Sequence, residues 1–157
     1  MANCLQAVVK ETLRLHPVMP LSLPHMNIVT TPILKFEIPT KTSVLIDYAA
    51  IGRDPATWKD PLQFEPQRFA DVEASQMDTF KFIPFGYGRR GCPGANLGLV
   101  SVQLVLASLV QGFEWAPVEG QTPHDIDVNE SSGVVCFKEN PLVLSATHRL
   151  SRTLYEL

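Results

Sequence analysis

Cysteine is scarce in this chain. Three occur in 157 residues, Cys4, Cys92 and Cys136, and no C-x-x-C or H-x-x-x-H spacing joins them to His16, His25, His124 or His148. That spacing excludes a disulfide framework and a zinc site built on paired ligands. An excess of positive charge is also missing: 13 Lys and Arg are scattered among 16 Asp and Glu, for a net charge of -3. Without a basic stripe the chain lacks the electrostatic footprint of a nucleic-acid binder, and no nucleic-acid partner is expected. Met1-Ala2-Asn3-Cys4 runs directly into a helical pattern, with no basic stretch followed by an apolar core, so neither a signal peptide nor an N-terminal membrane anchor is expected. Internal repeats and low-complexity tracts are absent. The length suits one domain, which as a self-contained unit would bury about 70% of its unfolded surface.

The chemistry of the chain concentrates in one loop. Phe85-Gly86-Tyr87-Gly88-Arg89-Arg90-Gly91-Cys92-Pro93-Gly94 sets one cysteine behind two arginines and ahead of a long uncharged apolar segment. A thiol ligates metal as the thiolate, which nearby cations and a helix N-terminus both stabilise. The glycines allow tight turns and close approach to a flat partner. Gly86, Gly88 and Gly91 also satisfy G-x-G-x-x-G, so a nucleotide-binding module is the alternative. That fingerprint needs a preceding strand and a βαβ crossover ending in an acidic residue. Here Pro84 interrupts the strand-like Phe80-Lys81-Phe82-Ile83, Pro93 intrudes before the helix, and Trp115-Ala116-Pro117 follows it.

Residues 95–113 carry no charge and approach membrane-spanning length. Asn96, Ser101, Gln103, Ser108 and Gln111 interrupt the run, which predicts a helix buried all round within protein, starting at Pro93-Gly94 and stopping near Gly112. An amphipathic helix is expected from Asn3 to Leu15, with Leu5, Val8, Val9, Thr12 and Leu13 at helical spacing and Pro17 ending it. Ile33 to Ile38 and Ser43 to Tyr48 read as a hairpin turning at Pro39-Thr40-Lys41-Thr42. A loop from Ile51 to Pro55 toward a short helix, a surface excursion over Asp71 to Gln76, and short strands at Phe113-Glu114-Trp115 and Val134-Val135-Cys136-Phe137 complete the reading.

In spacing, Phe85-x-x-Gly88-x-Arg90-x-Cys92-x-Gly94 resembles the haem-binding signature of cytochrome P450 monooxygenases. Glu11-Thr12-Leu13-Arg14 is similar to the E-x-x-R motif of that family, and Leu13-Arg14-Leu15-His16-Pro17 to its plant members. Trp58-Lys59-Asp60-Pro61-Leu62-Gln63-Phe64-Glu65-Pro66-Gln67-Arg68-Phe69 resembles the family's W-x-x-P-x-x-F-x-P-E-R-F segment. The resemblance runs through nearly the whole chain but maps to the last third of a full-length member. It implies a mainly α fold with small β-sheets (α+β), residues 1–157 being the C-terminal haem-ligating portion of an incomplete cytochrome P450 domain.

The resemblance also assigns roles. Cys92 would be the axial ligand of the iron of haem b, and Arg90 and His25 would contact the propionates. Phe85 would pack near the sulfur, while Gly88 and Gly94 would shape the loop and the helix start. Glu11, Arg14 and Arg68 would form a buried ionic triad locking the segment before the loop. The implied reaction is O2-dependent insertion of one oxygen atom into a small organic substrate. Electrons would come from NADPH through a cytochrome P450 reductase docking near Lys81 and Arg89. Full-length members sit on the cytosolic face of the endoplasmic reticulum. Leu23-Pro24-His25 and the closing residues 148–155 are similar to plant enzymes of specialised metabolism, and the stretches Val18 to Leu23 and Ser132 to Val135 are the expected substrate contacts.

Some positions depart from the pattern. Gln67 stands for the usual Glu in P-E-R-F, Thr40-Lys41 for Lys-Gly in I-P-K-G-T, and Val18 for a frequent proline. Asp78-Thr79 has the residue types of the family's proton-delivering acid–alcohol pair, but lies in a polar stretch before the loop and is rejected for that role. The oxygen-activating helix has no counterpart, so no catalytic residue is expected in this chain and a catalytically inactive fragment is a further alternative.

Overall fold

The computed structural model describes residues 2–70 and 80–151. Its elements run as helix α1 (Ala2–Leu15), strands β1 (His25–Met26), β2 (Thr31–Ile33), β3 (Phe36–Ile38) and β4 (Ser43–Val44), and helix α2 (Tyr48–Gly52). Helix α3 (Ala95–Gly112) and strands β5 (Phe113–Pro117) and β6 (Leu144–His148) follow. Short 3-10 turns lie at Pro66–Phe69, Gly88–Arg90 and Pro123–Asp125. The mainly helical fold with small sheets matches the sequence reading. The excursion over Asp71 to Gln76 lies outside the described residues, as do Asp78-Thr79 and residues 152–157.

The core forms where α1 meets the segment around Pro66–Phe69. Ala7, Val9, Leu15 and Phe69 are its buried apolar residues, joined by Glu11 and Arg14. Phe69 stacks at a tilt on Trp58 and on Phe82, with ring centroids 5.7 and 5.1 Å apart. This aromatic file links α1 to the approach of the cysteine loop. Helix α2 starts at Asp47, whose carboxylate accepts from the Ala50 N–H at 2.8 Å. It ends against α1, and an added Cβ at Gly52 would overlap the Arg14 carbonyl oxygen, so only glycine fits there.

Several expected elements are corrected. Ile33 to Ile38 is not one strand: β2 and β3 pair with each other around a two-residue turn at Leu34-Lys35, in the register Thr31 to Ile38 and Ile33 to Phe36. β4 pairs with β1 instead, His25 opposite Val44. The expected hairpin fails because Asn27 clamps the chain there, its backbone and side chain both bonding across to residues 38–42. The short helix precedes the Gly52-Arg53 loop and does not follow it. Phe80–Ile83 and Val134–Phe137 form no strand, while Phe113–Trp115 lies in β5, which pairs with β6, Phe113 opposite His148. Residues 130–138 instead form a loop closed by a bridge between Glu130 and Lys138.

Helix α3 also differs from its expectation. It has the length and uncharged composition foreseen, yet only 6% of it is buried. Leu97, Val100, Val102, Leu104 and Val105 are exposed, because α1 and β5 are its main neighbours among the described residues and cover one side.

Candidate functional site

Around Cys92 the backbone folds on itself. The Gly86 N–H donates to the Ile83 carbonyl at 2.9 Å and the Gly91 N–H to the Gly88 carbonyl at 3.0 Å. Gly86 and Gly88 hold φ of 74° and 68°, a region that disfavours any residue with a Cβ. At Gly86 the space is closed as well, since an added Cβ would lie 3.1 Å from the Tyr48 hydroxyl oxygen. The Cys92 N–H donates to the Phe85 carbonyl at 2.8 Å, closing the loop, and Gly94 then caps α3. Cys92 is exposed beside the helix N-terminus, where the positive end of an 18-residue dipole lies. An added Cβ at Gly94 would stand 3.8 Å from the Cys92 Sγ, in ordinary van der Waals contact with it.

The turns in this loop are not the nucleotide cradle that Gly86, Gly88 and Gly91 could have formed. Among the described residues every sheet is a two-stranded antiparallel pair, so the parallel crossover on which a dinucleotide fold depends is absent.

The structure brings Glu11, Arg14 and Arg68 together. Arg14 grips Glu11 with two donors, Nε to Oε2 at 2.7 Å and Nη2 to Oε1 at 2.9 Å, and Arg68 Nε reaches Oε1 at 3.1 Å. The Glu65 N–H adds a fourth bond at 2.8 Å. Glu11 and Arg14 are 0% and 1% exposed. The other Arg14 donors go to the carbonyls of Gly52, Pro61 and Gln63, and those of Arg68 to the carbonyls of Lys59 and Asp60 and, at 3.3 Å, to the Glu65 carboxylate. Arg14 also lies over the Trp58 ring, 5.2 Å from its centroid. Burial pushes the Glu11 carboxyl up, but the bonds from Arg14, the Glu65 N–H and Arg68 outweigh it and hold the group below its ordinary value.

A second ionic cluster escaped sequence reasoning. Glu130 accepts from Arg53 Nη2 at 3.0 Å through both oxygens and contacts His16 Nδ1 at 2.6 Å, while Arg53 caps the Leu15 carbonyl at the end of α1. Burial raises the Glu130 carboxyl, and the His16 and Arg53 contacts lower it by more. Its members lie 37 and 77 residues apart, with no local spacing to reveal them. Nearby, the Cys136 N–H donates to the Val18 carbonyl at 2.8 Å, which sets the 130–138 loop against the chain leaving α1.

His25 lies on β1, half-buried, and its Nδ1 is shut off from solvent without a hydrogen-bond partner. A buried polar atom left unpaired is costly, so this nitrogen calls for a ligand. Arg90 is exposed at the end of the turn Gly88–Arg90. Between α1 and α3 runs an open apolar groove of about 680 Å³, lined by Val8, Leu13, Phe85, Gly98, Val102 and Val105 among others. Phe85 therefore belongs both to the cysteine loop and to the groove wall.

A model of the Cytochrome P450 family matches residues 3–145. The chain belongs to the cytochrome P450 family. Its similarity to curated relatives covers nearly all of it: 42% identity over 154 residues to Cytochrome P450 98A2 of Glycine max, spanning 97% of this chain and 30% of that protein. Flavonoid 3'-monooxygenase of Arabidopsis thaliana is 44% identical over 161 residues, spanning 98% of this chain and 31% of that one. Iridoid oxidase of Catharanthus roseus is 48% identical over 139 residues, at 88% and 27%. Among solved structures, a zebra fish cytochrome P450 with progesterone superimposes with a TM-score of 0.79 at 31% identity, covering 94% of this chain and 32% of that one. The chain thus spans about 30% of the length of these P450 relatives.

P450 membership implies haem, a flat apolar ring with two carboxylates, and the residues fit it. An exposed thiol stands at a helix N-terminus, a buried imidazole nitrogen lacks a partner, and an exposed arginine is two residues from the thiol. Glycines flank the sulfur, and the adjoining groove is apolar.

Proposed function

We propose that this chain is the C-terminal, haem-ligating part of a plant-type cytochrome P450 monooxygenase, acting on a small organic substrate on the cytosolic face of the endoplasmic reticulum. When bound, haem b would supply the capacity to activate O2, with electrons from NADPH arriving through a reductase. Cys92 would ligate the iron as a thiolate, the ligand type that pushes electron density toward oxygen. The Cys92 N–H is engaged by the Phe85 carbonyl, so the sulfur is held on a closed loop and presented outward. His25 and Arg90 would each donate to a propionate, His25 through the nitrogen that otherwise has no partner. Phe85 would shield the sulfur from water on the groove side, Gly88 would keep the loop turned, and Gly94 would shape the start of α3. Lys81 and Arg89, both exposed, would meet an acidic face of the reductase.

The observation that carries this reading is the exposed Cys92 thiol on a doubly turned glycine loop at the head of α3. Titrating the chain with haem and following the Soret band tests it. Stoichiometric uptake is expected, weakened roughly tenfold by His25→Ala as one charge-assisted bond is lost. No uptake at all would sink haem binding by this chain. A second reading, a fragment without turnover, is favoured by the exposed apolar face of α3. Under it, the chain loads haem but consumes no NADPH productively with reductase and substrate.

A further inference from the structure

The loop over residues 130–138 is tied firmly to itself and lightly to the rest of the fold. The Ser131 N–H donates to the Phe137 carbonyl at 2.8 Å, the Phe137 N–H to the Ser131 hydroxyl at 3.2 Å, and the Glu139 N–H to the Asn129 carbonyl at 2.8 Å. At its base Asn140 Nδ2 donates to the Asp127 carboxylate at 2.8 Å, and Lys138 Nζ donates to the Asn140 carbonyl at 2.6 Å while lying 3.7 Å from the same carboxylate. None of residues 128–143 is buried, and Val134, Val135 and Phe137 are exposed, so the loop is not anchored by an apolar core. A unit closed within itself and unburied outside can move as one body.

What fastens it is mainly charge. The loop meets the chain leaving α1 at two points. One is the neutral bond from the Cys136 N–H to the Val18 carbonyl at 2.8 Å. The other is Glu130, which accepts from Arg53 Nη2 through both oxygens and meets His16 Nδ1 at 2.6 Å, with Arg53 itself seated on the Leu15 carbonyl. Among the described residues His16 and Arg53 are the charged or titratable groups set against Glu130, since Lys138, opposite it across the bridge, turns to Asn140 and Asp127. One carboxylate thus joins the end of α1, the residue after α2 and the loop. A carboxylate shared by a guanidinium and an imidazole holds more strongly than a single neutral amide bond, and its hold depends on charge. The side chains of Arg53 and Glu130 are 33% and 30% exposed, so dissolved ions reach the pair.

We infer that Glu130 is the positioning residue of this loop: shared between Arg53 and His16, it fastens the loop as a rigid body against the end of α1, and loss of its charge lets the loop swing away intact. The exposed apolar tip, Val134 and Val135, and the anchored Val18 belong to the two stretches expected to meet substrate. Glu130 thereby sets how these stretches stand to each other without touching substrate itself. That consequence rests on the function proposed above, whereas the fastening does not. Its measurements use no haem, so failure of the fastener and failure of haem uptake are told apart.

The test is backbone amide exchange, followed by NMR on the full 157-residue chain at one pH and corrected for intrinsic rates. The Cys136 N–H reports the fastening to Val18, and the Ser131 N–H reports the loop's own closure. Glu130→Gln removes the charge at nearly constant size, and Arg53→Gln removes its partner's charge without altering the loop's sequence. In both chains exchange at Cys136 should speed about tenfold, the factor of one charge-assisted bond, while Ser131 exchanges as in the parent. Raising salt from ~0.05 M to ~1 M should speed Cys136 exchange in the parent and leave Glu130→Gln unmoved. Equal acceleration at Ser131 and Cys136 would overturn the proposal, because Glu130 would then merely keep the loop or the whole fold together. Exchange at Cys136 unchanged by either substitution would overturn it too, since the neutral bond to Val18 would then suffice. So would a salt response that persists in Glu130→Gln, which would place the governing charge elsewhere.

Discussion

Helices α1 and α3 differ in how apolar they are and, in the opposite order, in how much of them is buried. Helix α1 finds its partners inside the described chain: Glu11 and Arg14 are the most deeply buried large side chains, the Glu11 carboxylate accepting from Arg14, Arg68 and the Glu65 N–H while the other Arg14 donors go to loop carbonyls. Helix α3 has the more apolar sequence and only 6% of it is buried. Hydrophobicity alone does not bury a helix; supplied partners do. The α1 side is therefore packed within the described residues, while the face of α3 turned away from α1 has no partner among them.

Breaking the α1 side should cost most. Glu11→Ala leaves the buried Arg14 without its acid and Arg68 with only the exposed Glu65, and should destabilise by about 3–5 kcal/mol, enough to unfold a small domain in a urea titration. Phe69→Ala should cost about 3–5 kcal/mol by opening a void between Trp58 and Phe82. Against it, Leu104→Ala on α3 should stay within about 0.5 kcal/mol, because its side chain is already in water. Equal losses at Phe69 and Leu104 would erase the contrast.

A smaller effect of opposite sign is expected in the turn after β3. Lys41 holds a φ of 65°, where the family pattern has glycine, so the substitution noted in the sequence carries a backbone cost. Lys41→Gly should stabilise by about 1 kcal/mol, read as a raised urea midpoint.

Acid should act through the same contrast. The folded Glu11 carboxyl titrates below its ordinary 4.5, so its contribution is fully present above that pH and is lost as pH falls through the lower folded value. Glu130 behaves alike but is partly exposed and should contribute less. In the Glu11→Gln chain, the loss of stability below pH 4.5 should be shallower than in the parent.

Local patterns made some of this legible. Helical spacing and Pro17 placed α1 within one residue of its start and at its observed end, and the uncharged run placed α3. Periodicity misjudged which side of α1 is buried: Leu5, Val8 and Leu13 are only half-covered, whereas Ala7, Glu11 and Arg14 face inward. Glu11 and Arg14 in isolation resemble an ordinary surface pair three residues apart, and only the family resemblance pointed to Arg68 as their third member. Strand pairing was misread because β2, β3 and β4 share similar composition, and what selects their partners is the long-range clamp at Asn27. The Cys92 loop was legible because its glycines, arginines and cysteine act locally. The Glu130 cluster was not, since its contacts close over 77 and 114 residues.

The measurement that bears most directly on the central claim is the absorbance of the haem-loaded chain after reduction and exposure to carbon monoxide, compared with Cys92→Ser. Thiolate ligation by Cys92 predicts a strongly red-shifted Soret band in the parent chain that disappears in the variant. A band at the position given by nitrogen-ligated haem in both chains, or the same red-shifted band surviving in Cys92→Ser, would contradict it.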